Sequence, residues 1–205
     1  MQESAFLING LTMEVIDEED DKHNIYCYDN GLVSFVEYVN EGKDTLQKVI
    51  NFSGEKNGIE VDIAMQYTDS YNENIMSFVN NVKTVDGGSH EVGFKTALTK
   101  VFNEYIRANN LLKSKEGLDG SDTREGLTAI ISLKIPENLL QFEGQTKGKL
   151  GTPQARTVVE SVVYEKLSYY LEENKESATA IMDKALKSKL AREAARKARE
   201  DARNG

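Results

Sequence analysis

Along the first half of the chain apolar residues recur at two different periods, and each change of period marks a new element. Leu11 to Asp17 alternates apolar with polar, Glu18 to Lys22 makes an acidic turn, and His23 to Asp29 resumes strand character, a pattern that predicts a β-hairpin. Residues 1–10 read as a linker whose Phe6, Leu7 and Ile8 dock onto a neighbouring surface, as expected of a piece of a longer chain. Asp29-Asn30-Gly31 punctuates, after which Leu32, Phe35, Val36 and Val39 fall at helical spacing and predict a short amphipathic helix ending near Gly42. Val49 to Phe52 reads as extended, with a turn at Gly54 to Gly58. From Ile59 to Tyr67 the alternation is unbroken, placing Ile59, Val61, Ile63, Met65 and Tyr67 on one buried face of a strand. A turn at 68–71 then leads into a further strand over 72–79.

The second half opens with a polar loop, 80–90, that holds Gly87 and Gly88. It feeds a helix whose one face carries Phe94, Ala97, Leu98, Val101, Phe102, Tyr105 and Ile106. His90 and Glu91 lie in its first turn with no partner at metal-ligand spacing, so His90 reads as a surface or capping residue and not as a ligand. Lys95, Lys100 and Arg107 fall off the apolar face, toward solvent or a charged ligand. After a loop over 113–122 and a short helical turn at 122–126, Leu127 to Ile135 is an apolar run with the character of a central strand buried on both faces, closed by Pro136. Thr152 as N-cap and Pro153 at the first helical position start a helix that buries Val158, Val159, Val162, Val163, Leu167, Tyr170 and Leu171. A final alanine-rich helix from about Ser177 to Arg203 has little apolar surface beyond Leu190 and is expected to project as an arm. This order of elements predicts an α+β domain with a helical C-terminal extension.

Composition sharpens that picture. With 205 residues, 39% of them hydrophobic, the chain can bury one core plus an appendage. Its single cysteine, Cys27, excludes an internal disulfide framework, suits a reducing cytoplasm, and reads as a small core residue of a strand. No apolar run reaches the roughly 18 residues of a membrane span, and the start of the sequence lacks the basic and apolar regions of a signal peptide, so a soluble cytoplasmic protein is expected. The net charge of −9 conceals an asymmetry: residues 1–75 hold 16 acids against 4 lysines, and Lys184 to Arg203 holds eight Lys or Arg against three acids. Different partners are expected at the two ends, although a solvated helix face would carry the same basic pattern.

Candidate chemistry concentrates in Gln141-Phe142-Glu143-Gly144-Gln145-Thr146-Lys147-Gly148-Lys149-Leu150. Two glycines allow positive φ or close approach, and two lysines supply mobile cations, the makings of a phosphate contact. The spacing from Gly144 to Gly148-Lys149 is one residue short of a Walker loop, and Leu150 stands where a magnesium-binding hydroxyl would be. These residues alone leave two readings open, a structural β-to-α turn and a phosphate-binding loop.

Four segments together carry a resemblance. They are Ser77 to Glu91 with Gly93 to Lys100 (SFVNNVKTVDGGSHE, GFKTALTK), Asp122 to Ser132 (DTREGLTAIIS), Gln141 to Gly151 (QFEGQTKGKLG) and Ala191 to Arg199 (AREAARKAR). In this order they resemble the transducer domain of the B subunit of bacterial type IIA topoisomerases, gyrase and topoisomerase IV, over essentially the whole chain. The phrasing from Leu139 to Lys147 and the ending Arg203-Asn204-Gly205 are more similar to topoisomerase IV.

The resemblance implies a ribosomal protein S5 domain 2-like fold with a left-handed β-α-β crossover, against the usual hand of such units. It implies residues 1–10 as a linker from an ATPase domain, 11–153 as the S5-like domain, and 154–205 as helices leading to a DNA-cleavage core. ATP and Mg2+ would belong to the full-length subunit, with no cofactor expected on this piece, which alone would be inactive and monomeric. The topoisomerase's companion A-type subunit and double-stranded DNA are the implied partners, in a nucleoid-associated cytoplasmic setting. By match of position, Lys147 is the lysine that reaches the ATP γ-phosphate, with Gln145 beside it and Thr146 between. Lys95, joined by Lys100 and Arg107, lies where the family is basic and faces DNA. A nucleic-acid-binding S5-like module working without nucleotide is the alternative, and a purely helical interaction arm a third reading.

Overall fold

Residues 31–205 are described in full by the computed structural model; among residues 1–30 it describes the backbone of three strands, β1 (Gln2–Ile8), β2 (Leu11–Asp17) and β3 (Ile25–Tyr28). β2 pairs antiparallel with both β1 and β3, so the hairpin expected from the alternation is present and the stretch read as a linker carries a strand. The expected acidic turn at Glu18 to Lys22 and the side chains of Phe6 and Cys27 lie outside the described residues.

The sheet that positions everything else has five strands, in the order β4 (Ile50–Lys56), β5 (Ile59–Tyr67), β8 (Leu127–Lys134), β6 (Asn74–Val79) and β7 (Val82–Lys83). β5 is antiparallel to β4 and to β8, β8 is parallel to β6, and β7 returns antiparallel on β6. Its two tight hairpins follow from asparagine chemistry. Asn57 and Gly58 both take positive φ (55° and 80°), as do Asn80 and Asn81 (49° and 70°), the requirement of the two-residue turn that matches strand twist. The first turn is therefore only Asn57-Gly58. Gly54, which the sequence reading placed in that turn, stays in β4 opposite Val61, where a Cβ would come within 2.9 Å of Val162.

Both faces of this sheet are covered. On one lies α1 (Leu32–Val39), packing Leu32, Phe35 and Val36 against Ala64, Phe78 and Ile130. On the other lie α2 (Ser89–Ala108) and α4 (Pro153–Glu173), over Ile59, Val61, Ile63, Met65, Tyr67, Ala129, Ile131 and Leu133. The two-sided burial explains the unbroken apolar run of β8. Parallel β6 and β8 are joined through β7, α2 and the short α3 (Gly120–Arg124), which gives a β-α-β connection between neighbours. α2 and α4 approach so closely at Gly93 that a Cβ there would sit 2.4 Å from the Arg156 carbonyl oxygen.

The last helix, α5 (Lys175–Asn204), buries Ala178, Ile181, Met182 and Ala185 and is then held by charge. Asp122, 1% exposed, closes a capping box with Asp119 at the start of α3 and accepts bonds from Ser188 (2.9 Å) and Arg192 (3.0 Å) of α5. Lys184 pairs with Glu125 at 3.4 Å, and the buried Lys189 pairs with Glu193. Residues 194–205 are all exposed, in keeping with the projecting arm expected from their composition. Among the described residues no helix is long and apolar enough to cross a membrane.

Candidate functional site

Pro136 stops β8, and a single 3-10 turn, Glu137–Leu139, leads into the glycine- and lysine-bearing loop. The loop closes on itself at a neck. Phe142 and Leu150 form an antiparallel bridge, Glu143 N–H donates to the Lys149 carbonyl (2.9 Å), and Gly151 N–H donates to that of Gln141 (2.7 Å). Phe142 packs against the main core. Thr152 holds the N-cap position of α4, but its hydroxyl does not cap. It donates to the Leu139 carbonyl (2.7 Å) and accepts from Gln141 N–H (3.1 Å), so it stitches the base of the neck. Lys149 is paired with Glu143 at 3.0 Å.

This neck is docked onto the turn that precedes α2. Leu150 N–H donates to Gly87 O (3.1 Å), Ser89 N–H to Leu150 O (2.9 Å) and Asp86 N–H to Gly148 O (2.8 Å), while the Ser89 hydroxyl reaches Thr152 O (2.6 Å). Gly88 has φ 141°, and a Cβ on it would lie 2.4 Å from Leu150 O, so only glycine permits the contact. Behind the turn sits a polar cluster of buried Ser77, Thr84 and His90 with half-buried Glu91. The expectation of a surface or capping His90 is overturned here: it is 0% exposed, with Nε2 3.0 Å from the Thr84 hydroxyl and Nδ1 without a partner. Burial disfavours the imidazolium and lowers its pKa to about 4. Burial likewise raises the carboxyl of Glu91, opposed by its bond from Ser77 and by the charge of Lys95.

Gln145, Thr146 and Lys147 stand together at the exposed tip of the loop. None of their side chains has a hydrogen-bond or ion-pair partner among the described residues. The three basic residues expected on α2 are separated. Lys95, half-buried, lines a groove of about 400 Å³ beside the loop, together with Lys149, Arg156, Asp86, Glu91 and Glu143. Lys100 instead sits 4.5 Å over the ring of Tyr164 on α4, and exposed Arg107 lies toward the far end of the helix against the Asn103 carbonyl (3.5 Å). Arg156 was not singled out in the sequence, though its place in the first turn of α4, just after the loop, was a usable signal. Among the described residues no group of three or more His, Cys, Asp or Glu is placed to hold a metal ion.

Fold and loop together define an α+β domain with one exposed cationic tip, and comparison with known proteins gives its family. A family model for DNA gyrase B matches residues 31–201. The chain belongs to the DNA gyrase B family, the B subunits of type IIA DNA topoisomerases. Curated relatives include topoisomerase IV B subunits: that of Bacillus subtilis (strain 168) is 59% identical over 206 residues, covering 100% of this chain and 32% of the relative. That of Enterococcus faecalis (strain ATCC 700802 / V583) is 58% identical over 208 residues, covering 100% and 30%. The chain thus spans about a third of the length of these relatives. Among solved structures, the 43K ATPase domain of Thermus thermophilus gyrase B in complex with an aminocoumarin superposes with a TM-score of 0.76 at 39% identity, over 87% of this chain and 49% of that one. The topoisomerase IV ATP-binding domain of Francisella tularensis shares the fold, with a TM-score of 0.68 at 24% identity over 83% and 46% of the two chains.

Proposed function

We propose that this chain is the transducer domain of a topoisomerase B subunit, and that Lys147, with Gln145 and Thr146, reaches the terminal phosphate of ATP held by an adjoining ATPase domain. The observation that carries this reading is the contrast between tip and neck. A lysine kept for stability would be paired, as Lys149 is with Glu143, whereas Lys147 is presented without a partner on a neck bonded to α2 and to the start of α4. Likeness to a gyrase B structure titled as an ATPase domain supports it.

Phosphoryl transfer is accelerated by positioning and by cations placed where charge develops, so an ammonium delivered from a second domain makes turnover depend on how the two domains are oriented. When the terminal phosphate leaves, the tether on Lys147 is lost. The neck is continuous with α4, and α4 with α5, so movement of the loop is transmitted to the basic arm as a two-state rearrangement. In the full-length subunit the activity so driven is strand passage, relaxation or decatenation of double-stranded DNA, carried out together with the companion A-type subunit. Mg2+ would be held by the ATPase domain, and the isolated chain would be monomeric and inactive. The same reading takes the β6-to-β8 connection as the left-handed crossover of an S5-like fold, with 11–153 as the domain proper and 154–205 as its exit to the cleavage core, in a nucleoid-associated setting.

Steady-state ATP hydrolysis by the full-length subunit tests this. Lys147→Ala is expected to lower turnover by roughly 10²- to 10³-fold, the scale for losing one charge-stabilising donor, with the thermal midpoint unchanged. Unchanged turnover overturns the assignment. A second reading, DNA contact, rests on Lys95 and Arg156, which line the groove alongside the acids Asp86, Glu91 and Glu143. Duplex DNA titrated at low and moderate salt separates it. An affinity that falls steeply with salt and weakens on Lys95→Ala supports this contact, and binding much tighter than the non-specific range of roughly 10⁻⁴ to 10⁻⁶ M would favour a module acting without nucleotide.

A further inference from the structure

The polar cluster behind the loop has a direction. Glu91 can only accept, so Ser77 donates its hydroxyl hydrogen to it at 3.0 Å. With that hydrogen committed, the single hydroxyl hydrogen of Thr84 goes to Ser77, shared between its hydroxyl oxygen at 2.6 Å and its carbonyl oxygen at 3.0 Å. The Thr84 oxygen is then left to accept, and His90 must be its donor through Nε2–H at 3.0 Å. The chain of donors runs His90, Thr84, Ser77, Glu91. With Glu91 ionised, this network assigns the imidazole as the Nε2–H tautomer, leaving Nδ1 buried and unpaired.

These four residues bracket one short piece of backbone. Thr84 stands before the turn, His90 and Glu91 after it, and Ser77 anchors both to β6; Gly87 N–H closes onto Thr84 O at 3.0 Å. The groups that hold the lysine loop lie within the bracket: Asp86 N–H on Gly148 O and Gly87 O on Leu150 N–H. Gly148 is the residue next to Lys147. A packed apolar cluster would hold this turn against the core but would not fix the angle at which its amide and carbonyl point outward. Directional bonds do.

We propose that Thr84 and His90 are positioning residues for Lys147, acting through the 84–88 turn to set where the ammonium stands. The proposal rests on the phosphate-contact reading above. Thr84→Val keeps the shape of the side chain and removes the hydroxyl, which leaves the Ser77 hydroxyl and His90 N–H short of a partner. Thr84→Ser keeps the hydroxyl.

Steady-state ATP hydrolysis by the full-length subunit, in a cycle of T84V, K147A and the double variant, is the test. T84V is expected to lower kcat roughly 10-fold, where a misplacement of about 1 Å can cost on the order of 10²-fold, with KM for ATP changed less than about twofold. T84S is expected to restore it, and T84V is expected to have no further effect in the K147A background. A T84V loss of the same factor in the K147A background overturns the inference, as does T84V with wild-type kcat while K147A is impaired. Wild-type kcat for K147A overturns the underlying reading instead. If T84V does not fold, Ser77→Ala cuts the same chain one link away and is read in the same cycle.

Discussion

Lys147 and Lys149 are two residues apart on one loop, yet only one is available for chemistry. An exposed pair such as Lys149 with Glu143 stabilises by about 0–1 kcal/mol at most, so Lys149→Ala is expected to leave ATP turnover of the full-length subunit within roughly threefold of wild type. Elsewhere buried His90 and half-buried Asp62 titrate in the same window with opposite signs. His90, whose pKa falls from 6.5 to about 4, favours the native state less as acid protonates the unfolded chain first, so its contribution is lost as pH drops from about 6.5 to 4. Asp62, raised by burial from 3.8 to about 6, works the other way: its contribution is full below about 4 and lost as pH rises through 6. The two largely offset each other between pH 4 and 6. Asp62→Asn is therefore expected to steepen acid destabilisation across that window, by up to about 3 kcal/mol between pH 6.5 and 4, measured as urea midpoints against pH. At this scale the sequence was legible where a motif is contiguous, as at Gln145 to Lys147. His90 was misread because burial depends on Ser77 and Thr84, 13 and 6 residues away, and a lone histidine in a helical first turn carries no trace of them.

Elements defined by a long, unbroken period were all visible in advance: β5 by alternation, β8 by its apolar run, α2 and α4 by their stripes. What escaped was set by two-residue turn geometry. β7 has only two residues, too few to show a period, and depends on Asn80-Asn81 taking positive φ. Close approach between helices was equally invisible, since Gly93 sits within a good helical pattern and its reason is the Arg156 carbonyl of another helix. Gly93→Ala is expected to destabilise by about 1–3 kcal/mol, seen as a lowering of the thermal midpoint by about 2–4 °C per kcal/mol. The tie between α3 and α5 makes a sharper prediction. Asp122→Ala removes a cap and the acceptor for Ser188 and Arg192 together, and is expected to cost about 2–3 kcal/mol in urea unfolding.

Over the molecule as a whole, charge asymmetry and the projecting helix were readable from composition, because an Ala-Arg-Lys stretch with no apolar stripe has nothing to bury. Removing residues 194–205, all exposed, is expected to change unfolding free energy by less than about 0.5 kcal/mol. Strand order was not readable, since periods say which face is buried and not which strand lies beside which. That order has a consequence for how the chain comes together during synthesis. β4 with β5, and β6 with β7, are hairpins that can form as soon as they emerge, but they are not neighbours; the strand between them, β8, follows α2 and α3 in the chain. Until it arrives, β5 and β6 each present an unpaired edge to whatever else is near. The nascent domain therefore passes through a stage of two half-sheets open to the wrong partner, and the insertion of β8 is the step a chaperone would have to protect.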